Sequence, residues 1–232
     1  MTAVQLADRV WRVPTAPADL INSYLFAEDD GTLTLVDAGL KNAHKKVLAA
    51  LDSLGKAPGD VQRILLSHAH ADHAGGLAGA QQATGGRVLT HEIEAPYVRT
   101  GTVPPQERAL PRLFGRLPGG GFAAVEVAET FADGDVLPVA GGVTVVHTPG
   151  HSPGHCSFLH TGSGVLITGD AIFNVRGLRY SPKTFCSDIR LSRETAARLG
   201  DLQFDVAAFT HGTHISTGAR QAVRAFLAGR TS

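Results

Sequence analysis

The chain is predicted to be an α/β protein in which β-sheets pack face to face with helices outside, forming a single domain over residues 1–232. Three observations predict this. Short apolar, β-branched runs come in consecutive groups without strict strand–helix alternation, a pattern that suits sheets stacked on each other. Helix-period segments interrupt those groups and supply outer layers. The 43% hydrophobic and 18% charged fractions are those of an ordinary globular chain with material for a full core, and no internal repeat or low-complexity tract is present.

In order along the chain, Val10–Val13, Ile21–Phe26 and Thr32–Val36 read as strands separated by turn signals such as Asp29-Asp30-Gly31. Lys45–Leu54 places Val47, Leu48, Leu51 and Leu54 at helical spacing and stops at Gly55. Val61–Leu66 is a buried-type strand, His73–Thr84 is helical in pattern, and Arg87–Thr90 is again a strand. From 96 to 122 the texture changes to prolines and the run Gly119-Gly120-Gly121. This is expected to be a lid-like excursion, with Leu110, Leu113, Phe114 and Leu117 as a helix stripe disturbed by Pro111. Strands return at Val136–Val139, Val143–His147, Cys156–His160 and Val165–Thr168; helix 189–199, strand 205–210 and helix 216–228 follow.

Composition removes several functions. Lys and Arg total 21, as do Asp and Glu, so the net charge is zero and neither nucleic acid nor an anionic membrane is an expected partner. Two cysteines, Cys156 and Cys186, are too few for a disulfide scaffold or a four-cysteine zinc site. The first residues carry no secretory signal pattern, and no apolar run nears the roughly 20 residues of a spanning helix, so a cytoplasmic protein is expected. What stands out is 11 histidines.

The central motif is Ser67-His68-Ala69-His70-Ala71-Asp72-His73-Ala74-Gly75-Gly76. In extended backbone His68, His70 and Asp72 would point the same way, and His73, at a helix start, could turn toward the same cavity. Three imidazoles and a carboxylate within six residues exceed one tetrahedral ion but suit two adjacent ones. The interleaved alanines and glycines allow close approach of neighbouring backbone. By contrast His44 is expected to be solvated, His147 and His160 to end strands, His91 to lie beside the pocket at most, and Cys156 to be core.

His-x-His-x-Asp-His resembles the signature of the metallo-β-lactamase fold superfamily, and further motifs match in order. These are Leu35-Val36-Asp37-Ala38-Gly39, Thr148-Pro149-Gly150-His151-Ser152-Pro153-Gly154-His155, Thr168-Gly169-Asp170 and Thr210-His211-Gly212. The resemblance implies a four-layer αββα sandwich of two mixed sheets. It assigns His68, His70 and His151 to a first metal, Asp72, His73 and His211 to a second, and Asp170 as a bridge. Asp37 and His155 would support these ligands, and Thr210 stands where Gly is common, with His214 as a weaker candidate nearby. Two divalent ions per chain are expected, zinc foremost, with iron or manganese as alternatives.

The chemistry implied is hydrolysis of a carbonyl centre (thioester, ester or lactone) by a metal-bridging hydroxide, with Asp72 and Asp170 catalytic. The pattern is similar to glyoxalase II-like and lactonase-like enzymes. A small-molecule substrate is expected, and an anionic one would suit Arg176, Arg179 and Tyr180, or the arginines of the excursion (Arg99, Arg108, Arg112, Arg116). The rival readings are a mononuclear iron persulfide dioxygenase using the first ligand set alone, and a non-catalytic metal-binding protein. No oligomeric state is predicted.

Overall fold

The computed structural model describes residues 3–106 and 121–229. Seven strands form the first sheet: β1 (Val4–Ala7), β2 (Val10–Pro14), β3 (Asn22–Ala27), β4 (Leu33–Val36), β5 (Val61–Leu66), β6 (Arg87–His91) and β7 (Glu129–Phe131), in that spatial order. Pairing is antiparallel from β1 to β4 and parallel from β4 to β7. The second sheet comprises β8 (Val136–Leu137), β9 (Val143–His147), β10 (Cys156–His160), β11 (Val165–Ile167) and β14 (Val206–Ala208), the last pairing parallel to β11. A hairpin of β12 (Phe173–Asn174) and β13 (Leu178–Arg179) stands apart.

Strand pleating explains why the sheets stack, since successive side chains point to opposite faces. Tyr24 and Phe26 of β3 enter the layer between the sheets, while Leu25 and Ala27 enter the outer layer. Phe158 of β10 and Val165 and Ile167 of β11 fill the inter-sheet layer, and Leu159 and Leu166 face the other outer layer. Strands buried on both faces read as continuous apolar runs.

Helices α1 (His44–Ser53), α2 (Ala71–Ala74), α3 (Leu77–Thr84) and α4 (Ala95–Thr100) follow strands of the first sheet; α5 (Ile189–Ala196) and α6 (Ala219–Ala228) belong to the second half of the chain. Val47, Ala74, Leu77 and Val98 pack on the first sheet, and Ala196, Val223 and Leu227 on the second. The predicted αββα sandwich of two mixed sheets is therefore observed. No helix among the described residues is long and apolar enough to cross a membrane.

Several boundaries differ from expectation. The helix expected over His73–Thr84 is two helices separated at Gly75-Gly76. A Cβ on Gly75 would lie 2.2 Å from the Ala71 carbonyl, and one on Gly76 2.2 Å from that of Ala38. The backbone of residues 38–41 thus presses into the break, as the small residues allow. Strands β1 and β7 and helix α4 were not expected, being short and weakly patterned. The stripe at Leu110, Leu113, Phe114 and Leu117 lies outside the described residues, as do Arg108, Arg112 and Arg116; of the 96–122 excursion, residues 96–106, which begin within α4, and 121–122 are described.

Phe158 is fully buried between the sheets, its ring 5.8 Å from that of Phe131. Phe158→Ala should cost about 3–5 kcal/mol through lost burial and the cavity left behind. A lower denaturant midpoint at unchanged m-value checks this.

Candidate metal centre

The parallel strands β4 and β5 end at one edge of the first sheet, and the parallel strands β11 and β14 end at one edge of the second. Past these ends the chain delivers Asp37, His68, Asp170 and His211. A bond from the Cys156 amide to the Ser67 carbonyl (3.0 Å) and one from the Asn22 amide to the Thr210 carbonyl (2.8 Å) join the two sheets there.

His70 has extended backbone (φ −89°, ψ 154°), and His68 and His70 face one donor group, as the alternation predicted. Asp72 does not share it: α2 starts at Ala71, and both Asp72 and His73 reach the cavity from its single turn. Three donor groups result: His68, His70 and His151; His68, His73 and Asp170; and Asp72, His73 and His211. All seven residues expected at the site are brought together.

Their inner atoms nearly touch. His151 Nε2 lies 2.8 Å from His70 Nδ1 and 3.1 Å from His68 Nε2, and His73 Nε2 lies 3.3 Å from His211 Nε2. Asp170 stands between the groups, with Oδ2 3.1 Å from His151 Nε2 and Oδ1 3.2 Å from His73 Nε2 and 3.3 Å from His211 Nε2. Asp72 Oδ2 is 3.3 Å from His211 Nε2. The cluster opens to solvent on one side, where the Asp72 side chain is 33% exposed, against 3% for Asp170.

The outer nitrogens of His68, His73, His151 and His211 are occupied, whereas His70 Nε2 is buried with no hydrogen-bond partner among the described residues. His73 Nδ1 donates to Asp37 Oδ2 (2.8 Å), and His211 Nδ1 donates to the Leu20 carbonyl (2.6 Å). The Ser67 hydroxyl donates to Asp37, leaving its oxygen to accept from His68 Nδ1 (3.0 Å), and His151 Nδ1 bonds the Ser181 hydroxyl (2.9 Å). With protons committed outward, lone pairs point inward, and an inward-facing set of imidazole and carboxylate donors fits divalent cations. The supporting roles expected of Asp37 and His155 take definite form. Asp37 adopts a left-handed φ of 58° and ties Ser67 to His73. His155 accepts the Asp170 amide (2.7 Å), and Gly169 is required beside it, because a Cβ there would lie 2.5 Å from His155 Nε2.

Electrostatics follow from burial and neighbours. Burial holds His68 and His151 well below the ordinary histidine range and lowers His70 and His155 to about 4. Burial opposes protonation of His211 too, but Asp170 and Asp72 overcome it and raise that imidazole to about 10; the same carboxylates and Asp37 raise His73. Burial alone would raise Asp170, yet His211, His73 and His151 hold it far below the carboxylate range. In the absence of metal, protons on His73 and His211 thus take the cation's place.

The family model described as the metallo-beta-lactamase superfamily matches residues 16–211. The chain belongs to this superfamily. It is therefore a hydrolase, and a metal-binding one. Protein YobT of Bacillus subtilis (strain 168) is 34% identical over 170 residues, 72% of this chain and 69% of YobT. An N-acyl homoserine lactonase of Bacillus thuringiensis is 31% identical over 163 residues, 66% of this chain and 58% of the lactonase. A metallo-beta-lactamase family protein from Thermus thermophilus superposes with a TM-score of 0.75 at 27% identity, covering 97% of this chain and 80% of that one.

Within this metallo-beta-lactamase fold, the remaining candidate residues divide between burial and exposure. Tyr180 was expected at the substrate but is buried among the C-terminal helices, its ring 4.8 Å from Phe226 and 5.4 Å from the Arg193 guanidinium. Arg176 and Arg179 are exposed on the β12–β13 hairpin, where Arg179 bonds the Arg176 carbonyl (3.3 Å). His44, expected to be solvated, is half-buried and packs its ring on Gly79 of α3. His91 stacks on His147 (4.3 Å), outside the donor groups, and His214 lies beside Arg12 and Asp19 instead.

Three contributors went unforeseen. Glu94, fully buried, accepts the Ala69 amide (2.8 Å), the Ser152 hydroxyl (2.8 Å) and the Gly154 amide (2.7 Å), and so fastens the His68–His70 segment to the His151 loop. The Thr210 hydroxyl donates to Asp170 Oδ1 (2.8 Å), which gives a use to the residue departing from the family motif. Phe173 lays its ring 4.3 Å from His211. A lone buried Glu and a lone Phe carry no spacing signal; Thr210 could have been weighed from its place beside His211.

Glu94→Ala would leave two buried amides without an acceptor, at about 1–3 kcal/mol each, and should loosen metal at the first donor group about 10–100-fold. Denaturant midpoints and metal content after dialysis against a chelator measure both. The raised His211 also sets a pH dependence. Its proton favours the metal-free fold fully below the ordinary value near 6.5, and that contribution fades as pH rises through about 10. Metal must displace this proton, so affinity should strengthen with rising pH up to that value. Calorimetry in buffers of different ionisation enthalpy should register proton release on loading.

Proposed function

We propose that this hydrolase opens lactones, or closely related esters and thioesters, that carry an apolar chain, at a dinuclear centre. The carrying observation is Asp170, whose two oxygens face different donor groups: Oδ2 toward His151, Oδ1 toward His73 and His211. His68, His70 and His151 would hold one ion, Asp72, His73 and His211 the other, and Asp170 would be shared. Two divalent ions bound there supply Lewis acidity, polarising a carbonyl and lowering the pKa of a nearby water toward neutrality.

The chain's own residues then set the course of reaction. Thr210 and the His155-held amide fix the Asp170 carboxylate from behind, so its oxygens cannot turn away from the donor groups. Asp72 is the carboxylate open to the mouth, and its outer face takes the proton from the attacking water and returns it to the leaving alkoxide or thiolate. Leu20 is 48% and Phe185 51% exposed, the first adjoining His211 through its carbonyl and the second next in sequence to Cys186, 3.9 Å from His151. With Phe173 against His211 they give the rim an apolar character suited to an acyl chain. Phe173 and Arg179 are directly opposed across the hairpin and share one of its faces, which supports Arg179 as the contact for a polar substrate end. The lactonase similarity supports ring opening. The assembled second donor group weighs against the mononuclear iron reading, which would leave Asp72 and His211 without employment.

The metal-loaded protein should turn over an acyl lactone faster than a matched thioester and far faster than a phosphodiester. A preference for the phosphodiester, or no hydrolysis alongside oxygen consumption with a persulfide, would overturn the proposal. Asp170→Ala should reduce turnover to background and metal content below about two ions per chain, read by steady-state kinetics and elemental analysis; a fully active, fully loaded variant would refute the bridge.

A further inference from the structure

The segment leading into β3 makes an unusual detour. Ala18 and Asp19 both adopt left-handed backbone (φ 54° and 57°), a conformation that non-glycine residues keep only where their surroundings hold it in place. The reason lies in what surrounds them. Arg12, buried within β2, pairs through Nη1 with Asp19 Oδ2 at 2.8 Å. The Thr213 hydroxyl donates to the same oxygen (3.0 Å), and the Asp19 carbonyl accepts the Gly212 amide (2.8 Å) and the Asn22 side-chain amide (3.1 Å). Asn22 Nδ2 also donates to the Phe209 and Gly212 carbonyls (3.0 and 2.9 Å).

These bonds close on one target. The double left-handed turn presents the carbonyl of the next residue, Leu20, to His211 Nδ1 at 2.6 Å. A carbonyl can only accept, so His211 keeps a proton on Nδ1, which leaves Nε2, 3.3 Å from Asp72 Oδ2 and Asp170 Oδ1, as the nitrogen that can face a cation. Among the imidazoles of the second donor group, His73 has Asp37 as its outer partner. His211 has a backbone carbonyl, whose place depends on how the 17–20 turn is held.

We propose that the Arg12–Asp19 ion pair is a positioning clasp: it holds the Ala18–Asp19 turn so that the Leu20 carbonyl fixes the tautomer and aim of His211, and thereby sets affinity at one metal position selectively. The inference rests on the dinuclear reading above. Neither residue touches substrate or metal; both act through His211. Among the described residues, the first donor group, held by Ser67, Ser181 and Glu94, shares no bond with this clasp.

The test is a chelator titration of the metal-loaded protein, reading zinc retained per chain, for wild type and two variants. Asp19→Asn keeps a side chain that tolerates left-handed backbone and removes only the charge. Arg12→Met combined with Asp19→Asn leaves no unpaired buried charge and covers the case in which the single variant fails to fold. The expected result is that both release one equivalent at about 10–100-fold lower chelator than wild type, while the other is retained as in wild type. Equal weakening of both equivalents, or none, in a folded variant overturns the clasp and assigns the ion pair a purely structural role. A wild type that never holds a second equivalent overturns the dinuclear reading, and the clasp with it.

Discussion

Everything at this site turns on a concentration of lone pairs. Five imidazoles and two carboxylates converge with inner atoms about 3 Å apart, largely out of water, and four of the imidazoles are tied down by their outer nitrogens. Such an arrangement is tolerable only with positive charge at its centre, because buried like-charged or electron-rich groups otherwise repel at low dielectric. Metal ions meet that need in one way and protons on His73 and His211 in another. Four of the imidazoles cannot rotate to relieve the crowding, since Asp37, Ser67, Ser181 and Leu20 hold His73, His68, His151 and His211 from behind.

The fold makes this crowding sustainable. Strand ends of both sheets deliver the donors, so each ligand is anchored to a hydrogen-bonded ladder and a packed layer. Strain is confined to the connections: Asp37, Ala18 and Asp19 take left-handed backbone next to the cluster, at about 1–3 kcal/mol each. The inter-sheet layer around Tyr24, Phe26 and Phe158 supplies the rigidity against which that strain is held.

Much of this was legible in the sequence. The doubly buried strands announced themselves as apolar runs, and the ligands by dense spacing or by recurring short motifs at strand ends. The extended alternation failed at Asp72 because a helix begins one residue before it, a boundary that the alanines around it do not mark. Tyr180 misled for a different reason: an aromatic beside two arginines reads as a binding loop, yet its ring completes the layer under Phe226. Glu94 was invisible because its three partners come from two distant loops, and no local pattern encodes a contact made only on folding. The same holds for Arg12 and Asp19, whose meaning depends on residues some 190 positions away.

The division of the first donor group between the sheets has a mechanical consequence. His68 and His70 extend from the first sheet and His151 from the second, with Glu94 and the Cys156–Ser67 backbone bond as the protein's own ties between them. An ion held by all three is a rivet through the sandwich. One residue of slip along a strand is about 3.3 Å, as large as the gaps between the donor atoms themselves, so occupancy and relative sliding of the two sheets exclude one another. An ion bound there would add its own lock against shear to the backbone bonds, the glutamate and the packed layer that already join the two halves.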